Sequence, residues 1–271
     1  MQAEQLAIGV FDSGMGGLTV LKALQAQLPL ESFVYLGDTA RLPYGTKSPE
    51  TVKQYAVQMA TLLVERQIKA LVIACNTATT AALTHLQQIL SIPVLGVVNP
   101  GAQAVIEATR NQRVLVLATE TTIASQAYQS LIVQKIPKAL VQSRACSVLV
   151  ALAEEGMIDN QVAREACLHY LEGYREEDTV LLGCTHFPVF KPLLQELLPA
   201  DVALVDAGHA TALALEAILN QKQLANRHPT IKPFVRYLVT DSATRFSKVG
   251  AVFLGSSLVA AEIELVDVCG R

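Results

Sequence analysis

Two cysteines of this 271-residue chain stand in matched surroundings, Ala74-Cys75-Asn76-Thr77-Ala78-Thr79 and Gly183-Cys184-Thr185-His186. Each closes a bare apolar run of strand length, over 70–74 and 179–183, and is followed by residues that start a helix. Such a run reads as a buried parallel strand whose carboxyl end delivers one thiol to a helix start. In open α/β sheets that edge is where ligands bind. Free backbone N–H groups and the helix dipole there favour anions, and they lower a thiol from its free pKa of about 8.5. Cysteine at a strand end is more often inert core; the threonine that follows closely in both contexts argues for more. Two thiols, one from each half of the chain, suggest a substrate held between two acid/base groups.

The elements that must position them follow from the rest of the pattern. A strand over 6–11 runs into Asp12-Ser13-Gly14-Met15-Gly16-Gly17, and apolar spacing over 18–28 predicts a helix stopped by Pro29. The glycines do not make a dinucleotide loop, because Thr19 stands where Gly-x-Gly-x-x-Gly needs glycine, and no Walker lysine follows. What remains is a loop that lets backbone approach a small ligand, with Asp12 and Ser13 as ligand contacts or helix caps. A strand over 32–36 leads to Pro43-Tyr44-Gly45, a turn able to offer N–H groups and a phenol. Ser48-Pro49 predicts a capped helix start, with Val52, Tyr55, Ala56, Met59, Leu62 and Leu63 as its buried stripe.

Further strands are expected over 93–98, 113–118, 138–141, 201–205 and 235–240, and Asn99-Pro100-Gly101 is expected to break the chain. The strand over 113–118 ends in the hydroxyl-rich Thr119-Glu120-Thr121-Thr122. A helix after Cys146 carries Glu154 and Glu155, and a helix is expected from Pro188 to residue 198. Cys167 reads as core, and Cys269 as an incidental exposed thiol. Strand–helix alternation throughout predicts an α/β fold with mainly parallel sheet.

Composition sets outer bounds. Hydrophobic residues make up 51% of the chain and the net charge is −3, so no basic field points to nucleic acid or an anionic membrane surface. The five cysteines include no Cys-x-x-Cys pair, which suggests neither a disulfide frame nor a metal site and fits a reducing cytoplasm. No room for a signal peptide is expected before the first strand.

Taken together, Asp12-Ser13-Gly14-x-Gly16-Gly17, Pro43-Tyr44-Gly45, Cys75-Asn76-Thr77-Ala78-Thr79 and Gly183-Cys184-Thr185-His186 resemble the glutamate racemases, a family of cofactor-independent amino-acid racemases. The likeness spans about 6–255 and includes a tail with Thr240-Asp241, Phe246 and Phe253-Leu254-Gly255. It implies two similar α/β domains, each with a mainly parallel sheet flanked by helices, and an active site in the cleft between them. The first would comprise 1–98 plus 208–271, the second 99–207. The resemblance makes Cys75 and Cys184 the catalytic pair, with Cys75 abstracting from the D-isomer and Cys184 from the L-isomer. It places Asp12 as a helper of the first cysteine, and Glu154 and His186 as helpers of the second. Asp12, Ser13, Tyr44, Gly45, Asn76, Thr77, Thr119, Thr122, Thr185 and His186 would line the substrate.

The same likeness implies no cofactor, no metal, a homodimer, and a role in supplying D-glutamate for peptidoglycan. Activation by a cell-wall precursor, tied to an N-terminal extension in some members, is not expected. Three departures stand out: Ser147 where the family usually has proline, Ala207 where serine is frequent, and Phe187 beside His186 in place of tyrosine. The first leaves the choice between Glu154 and Glu155 open. Other readings also remain open at this stage: aspartate racemisation, a non-catalytic two-lobed sensor of a small anion, or a phosphotransferase, which would need a β-hairpin where helix is expected after Leu18.

Overall fold

Strands this apolar need both faces covered. In the computed structural model, which describes residues 3–229 and 231–268, helices cover both faces of two separate sheets. The chain runs through β1 (Ala7–Asp12), α1 (Leu18–Gln27), β2 (Phe33–Gly37), α2 (Pro49–Glu65), β3 (Ile68–Ile73), α3 (Asn76–Ile89), β4 (Val94–Gly96) and α4 (Val98–Ala108). It continues with β5 (Arg113–Ala118), α5 (Glu120–Ala124), α6 (Ala127–Lys135), β6 (Leu140–Ala145), α7 (Ser147–Glu154) and α8 (Gln161–Tyr170). Next come β7 (Thr179–Gly183), α9 (Lys191–Leu197), β8 (Ala203–Asp206), α10 (Gly208–Gln221), β9 (Val235–Val239), α11 (Ala243–Leu254) and β10 (Ile263–Leu265).

One sheet has the order β10-β9-β2-β1-β3-β4 and the other β6-β5-β7-β8, with every pairing parallel. The first four strands are thus arranged 2-1-3-4, and the next four repeat that order. Each cysteine follows the third strand of its four, beside the tip of the first. Register makes this concrete. Phe11 lies opposite Ile73, which brings Asp12 and Ser13 beside Cys75. Ala118 lies opposite Gly183, which brings Thr119 beside Cys184.

Alternate strand residues feed opposite cores. Phe11, Leu71 and Ile73 pack with Val52, Met59 and Leu63 of α2 and Leu86 of α3, while Ile8, Val10 and Val72 share a core with Leu18, Leu21 and Phe246. In the second sheet Val114, Val116 and Leu181 pack with Val105, Tyr128 and Ile132, and Leu115, Leu117 and Leu182 face Leu149, Ala163 and Leu194. Each such side chain, fully buried, contributes about 1.5–3 kcal/mol. The Ser48-Pro49 start is as expected: Ser48 accepts from the Thr51 N–H at 3.3 Å, and Pro49 opens α2.

Three local expectations are corrected. Asn99-Pro100-Gly101 does not break the chain but forms the first turn of α4. Proline costs little there, because the N–H groups of a first turn have no intrahelical acceptor. The strand expected at 138–141 is β6, displaced to Leu140–Ala145. The helix expected from Pro188 is a 3-10 turn, Phe187–Phe190, before α9 begins. Cys269 lies outside the described residues. Among the described residues no helix is long and apolar enough to cross a membrane.

At the amino ends of the first sheet, away from both cysteines, buried Lys69 donates to Glu31 at 2.5 Å and to the Glu4 carbonyl at 2.7 Å. Glu31 also accepts from the Asn226 N–H at 2.8 Å. Burial pushes the Lys69 amine below its usual range, against the pull of Glu31. Removing the cation strands a buried carboxylate, so Lys69→Met should destabilise the fold by about 3 kcal/mol, with a melting temperature lower by roughly 5–10 °C. Chemical denaturation showing less than about 1 kcal/mol of loss would remove this pair from the account of stability.

Candidate active site

Cys75 is itself the N-cap of α3, its Sγ accepting the Ala78 N–H at 3.4 Å, and it lies 3.7 Å from Ser13 Oγ. Beside it Asp12, fully buried, accepts the Gly14 N–H at 3.0 Å. The expectation of a lowered thiol fails here. Burial first, and the nearby Asp12 charge second, push Cys75 up to about 12, more than the Ala78 N–H and Ser13 pull it down. A helix start lowers a thiol pKa where water still reaches the sulfur; here Cys75 is only 5% exposed. Asp12 is likewise raised by burial, opposed by His186 and by loop N–H groups.

Cys184 has different company. Its Sγ lies 3.8 Å from His186 Nδ1, and His186 Nε2 lies 3.0 Å from Glu154 Oε1. Burial alone would push the imidazole down. Its hydrogen bonds and charge interactions with Cys184 and Glu154 outweigh that and raise it to about 10. An imidazolium so placed is a counter-charge for a thiolate. Glu154, at the end of α7, is buried, whereas its neighbour Glu155 is exposed and pairs with Arg245 at 3.1 Å. Of the two carboxylates, the geometry brings Glu154 to the histidine. Arg245 also lies 3.9 Å from the second Glu154 oxygen.

The two sheet edges meet in a closed seam. Thr185 donates to Asp12 at 3.4 Å, and Thr19 donates to the Thr185 carbonyl at 3.0 Å. Thr77, Thr119 and Thr122 form a triangle of hydroxyls 2.9, 3.0 and 3.2 Å apart. Thr121 donates to the carbonyls of Gly45 and Lys47, at 2.9 and 3.1 Å. The approach is close enough to forbid side chains. A Cβ at Gly16 would stand 2.5 Å from both His186 Nδ1 and Thr185 Oγ1, and one at Gly45 would stand 2.5 Å from Thr119 Cβ. The glycine loop therefore serves contact between the two halves.

The sequence-predicted residues Asp12, Ser13, Tyr44, Gly45, Cys75, Asn76, Thr77, Thr119, Thr122, Glu154, Cys184, Thr185 and His186 are all buried, at or beside this seam. In the Pro43-Tyr44-Gly45 turn the Tyr44 phenol, expected as a ligand contact, donates to Asp38. Sequence reasoning missed the residues that hold this turn. Asp38 also accepts from Arg41 at 2.7 Å and from Thr240 at 2.9 Å. The Arg41 guanidinium lies 4.1 Å above the Tyr55 ring, which in turn packs against Tyr44. Asp38 directly follows β2 as Asp12 closes β1, a signal that was present. Tyr128, which donates to Asn76 Oδ1 at 2.5 Å, carried no sequence signal.

Residues 13–215 match the family described as Asp/Glu/Hydantoin racemase. Glutamate racemase of Geobacter metallireducens is 49% identical over 254 residues, covering 93% of this chain and 94% of that one. Among solved structures, glutamate racemase of Francisella tularensis in complex with D-glutamate superposes with a TM-score of 0.90 at 36% identity, covering 99% of this chain and all of that one. The Escherichia coli glutamate racemase, in complex with L-glutamate and the activator UDP-MurNAc-ala, gives 0.80 at 29%, covering 98% and 100%.

His186 yields a prediction from its surroundings alone. Its folded pKa lies above the ordinary 6.5, so its contribution to stability is fully present below about pH 6.5 and is lost as pH rises through about 10. Long-range ¹H–¹⁵N spectra should show the buried imidazole protonated at neutral pH and titrating near 10; a midpoint below 7 would disprove a charged His186 at neutral pH.

Proposed function

Because the chain belongs to the Asp/Glu/Hydantoin racemase family, we propose that it interconverts L- and D-glutamate, with Cys75 and Cys184 as the acid/base pair at the α-carbon. The observation that carries this reading is the repeat of a strand-tip cysteine in two sheets whose edges close on each other, each thiol with its own partners. Racemisation removes a proton from one face of the α-carbon and returns one to the other, and a single base would have to cross the substrate. Two thiols from opposite edges avoid that crossing.

The surroundings give the resting site a polarity. Cys75 is held as the thiol, and protonated His186 faces Cys184. From the L-isomer Cys184 takes the proton while Cys75 supplies one to the far face; the D-isomer requires the reverse assignment. The α-hydrogen is weakly acidic, so the carbanion needs fixed donors and a dry site. Asn76, Thr77, Thr185 and the N–H groups at the start of α3 serve the α-carboxylate. The Tyr44-Gly45 backbone and the hydroxyls of Thr119 and Thr122 serve the distal carboxylate, in place of the arginine that commonly clamps such groups.

In this reading the lobes are 1–98 with 208–271, and 99–207. They part to admit glutamate and close to expel water, since both cysteines are almost wholly covered. The product supplies D-glutamate for peptidoglycan.

The test is purified protein with L-glutamate in D₂O, with chelator and without added cofactor, and L-aspartate in parallel. Loss of optical rotation together with deuterium at the α-carbon is expected for glutamate only. Exchange with aspartate instead would change the substrate, and folded, reduced protein that exchanges neither would leave a binding protein. Cys75→Ser and Cys184→Ser should each lower racemisation by roughly 10²–10⁴-fold while glutamate still binds by calorimetry. Near-normal turnover in either variant would sink the two-base scheme.

A further inference from the structure

We propose that Tyr128 is a positioning residue for the racemisation proposed above: it orients the Asn76 amide and sets the spacing between the two cysteine-bearing strand ends. It sits on α6 in the second lobe, is 1% exposed, and donates across the seam to Asn76 Oδ1 at 2.5 Å. Asn76 directly follows Cys75 and opens α3.

The other side of the ring lies against the second cysteine strand. A Cβ at Gly183, the residue before Cys184, would stand 3.2 Å from Tyr128 Cε2. One at Gly101 in α4 would stand 3.0 Å from the phenol oxygen. Glycine at both places leaves room for the ring. One rigid side chain therefore bonds the residue after one cysteine and fills the space a side chain on the residue before the other would need. It cannot lengthen, so its hydrogen bond forms only when the two strand ends stand at the separation the ring dictates.

The bond also settles which way the amide faces. A phenol that donates to Oδ1 leaves Asn76 Nδ2, with two N–H donors, for an anion. Burial raises the phenol well above its ordinary pKa, so it remains a donor across the working range. The negative charge that develops on the α-carboxylate as the proton leaves is then met by an amide already turned toward it, with no reorganisation during the step.

Tyr128→Phe keeps the ring and removes only the donor. It should melt within a few degrees of the parent yet lower kcat/KM about tenfold, mostly in kcat, as expected for one lost hydrogen bond. Added to Asn76→Ala, the same change should cost less than about twofold more, because its effect runs through the amide. Full additivity, or no loss in the single variant, overturns the proposal. Should the phenylalanine variant fail to fold, 3-fluorotyrosine at position 128, nearly isosteric and a stronger donor, gives a second measurement. It should change kcat/KM in the parent and leave it unchanged in Asn76→Ala. Parent protein that racemises neither amino acid removes the premise and the proposal together, whereas an active parent with an additive cycle removes the proposal alone.

Discussion

In the two-base scheme that we propose, a base meets one face of a tetrahedral carbon while an acid meets the other, and here they come from different sheets. Neighbouring strand tips of one parallel sheet point the same way, whereas the two sheets of this molecule present their carboxyl edges to each other. Much of this molecule follows from that opposition. The four-strand order is used twice, each copy offering a cysteine after its third strand. The edges meet closely enough to exclude side chains at Gly16 and Gly45. Polar groups trapped between them must find partners or cost stability, and the threonine triangle and the Thr185–Asp12 contact give partners to the hydroxyls trapped there.

Closure has a second effect. It removes water from both sulfurs but does not treat them alike. Cys75 keeps a neutral serine, a helix N–H and a carboxylate, a setting in which burial wins and the proton stays. Cys184 faces His186, which is backed by buried Glu154 and has its pKa raised to about 10, and Arg245 of α11 approaches Glu154 in turn. The two halves repeat one topology, yet the chemistry at their tips has diverged.

How much of this was legible in the sequence depended on how local the cause was. The cysteine strands could be read because their apolar runs and following threonines are contiguous, and α2 because Ser48 and Pro49 carry the cap within two residues. Pro100 misled because proline ends helices in general but not in their first turn, and nothing nearby marks residue 98 as the start. The thiol at Cys75 was misjudged because its burial, which local sequence does not show, outweighs the helix start. Glu154 and Glu155 are adjacent, and only the end of α7 and its packing decide which one turns inward. Tyr128 gave no sign, since its partner lies 52 positions away at the tip of the other sheet.

The unlike surroundings of the two thiols have a consequence set by the reaction that we propose. Mirror-image amino acids have equal free energy in water, so the equilibrium constant is one, and the Haldane relation forces kcat/KM to be equal in both directions whatever the protein does. A site biased toward one resting protonation pattern cannot favour one enantiomer in that ratio. The bias can appear only in the separate values, as a faster but looser reaction in one direction and a slower, tighter one in the other. The asymmetry between Cys75 and Cys184 would thus govern which isomer saturates the protein first, and leave the racemic end point untouched.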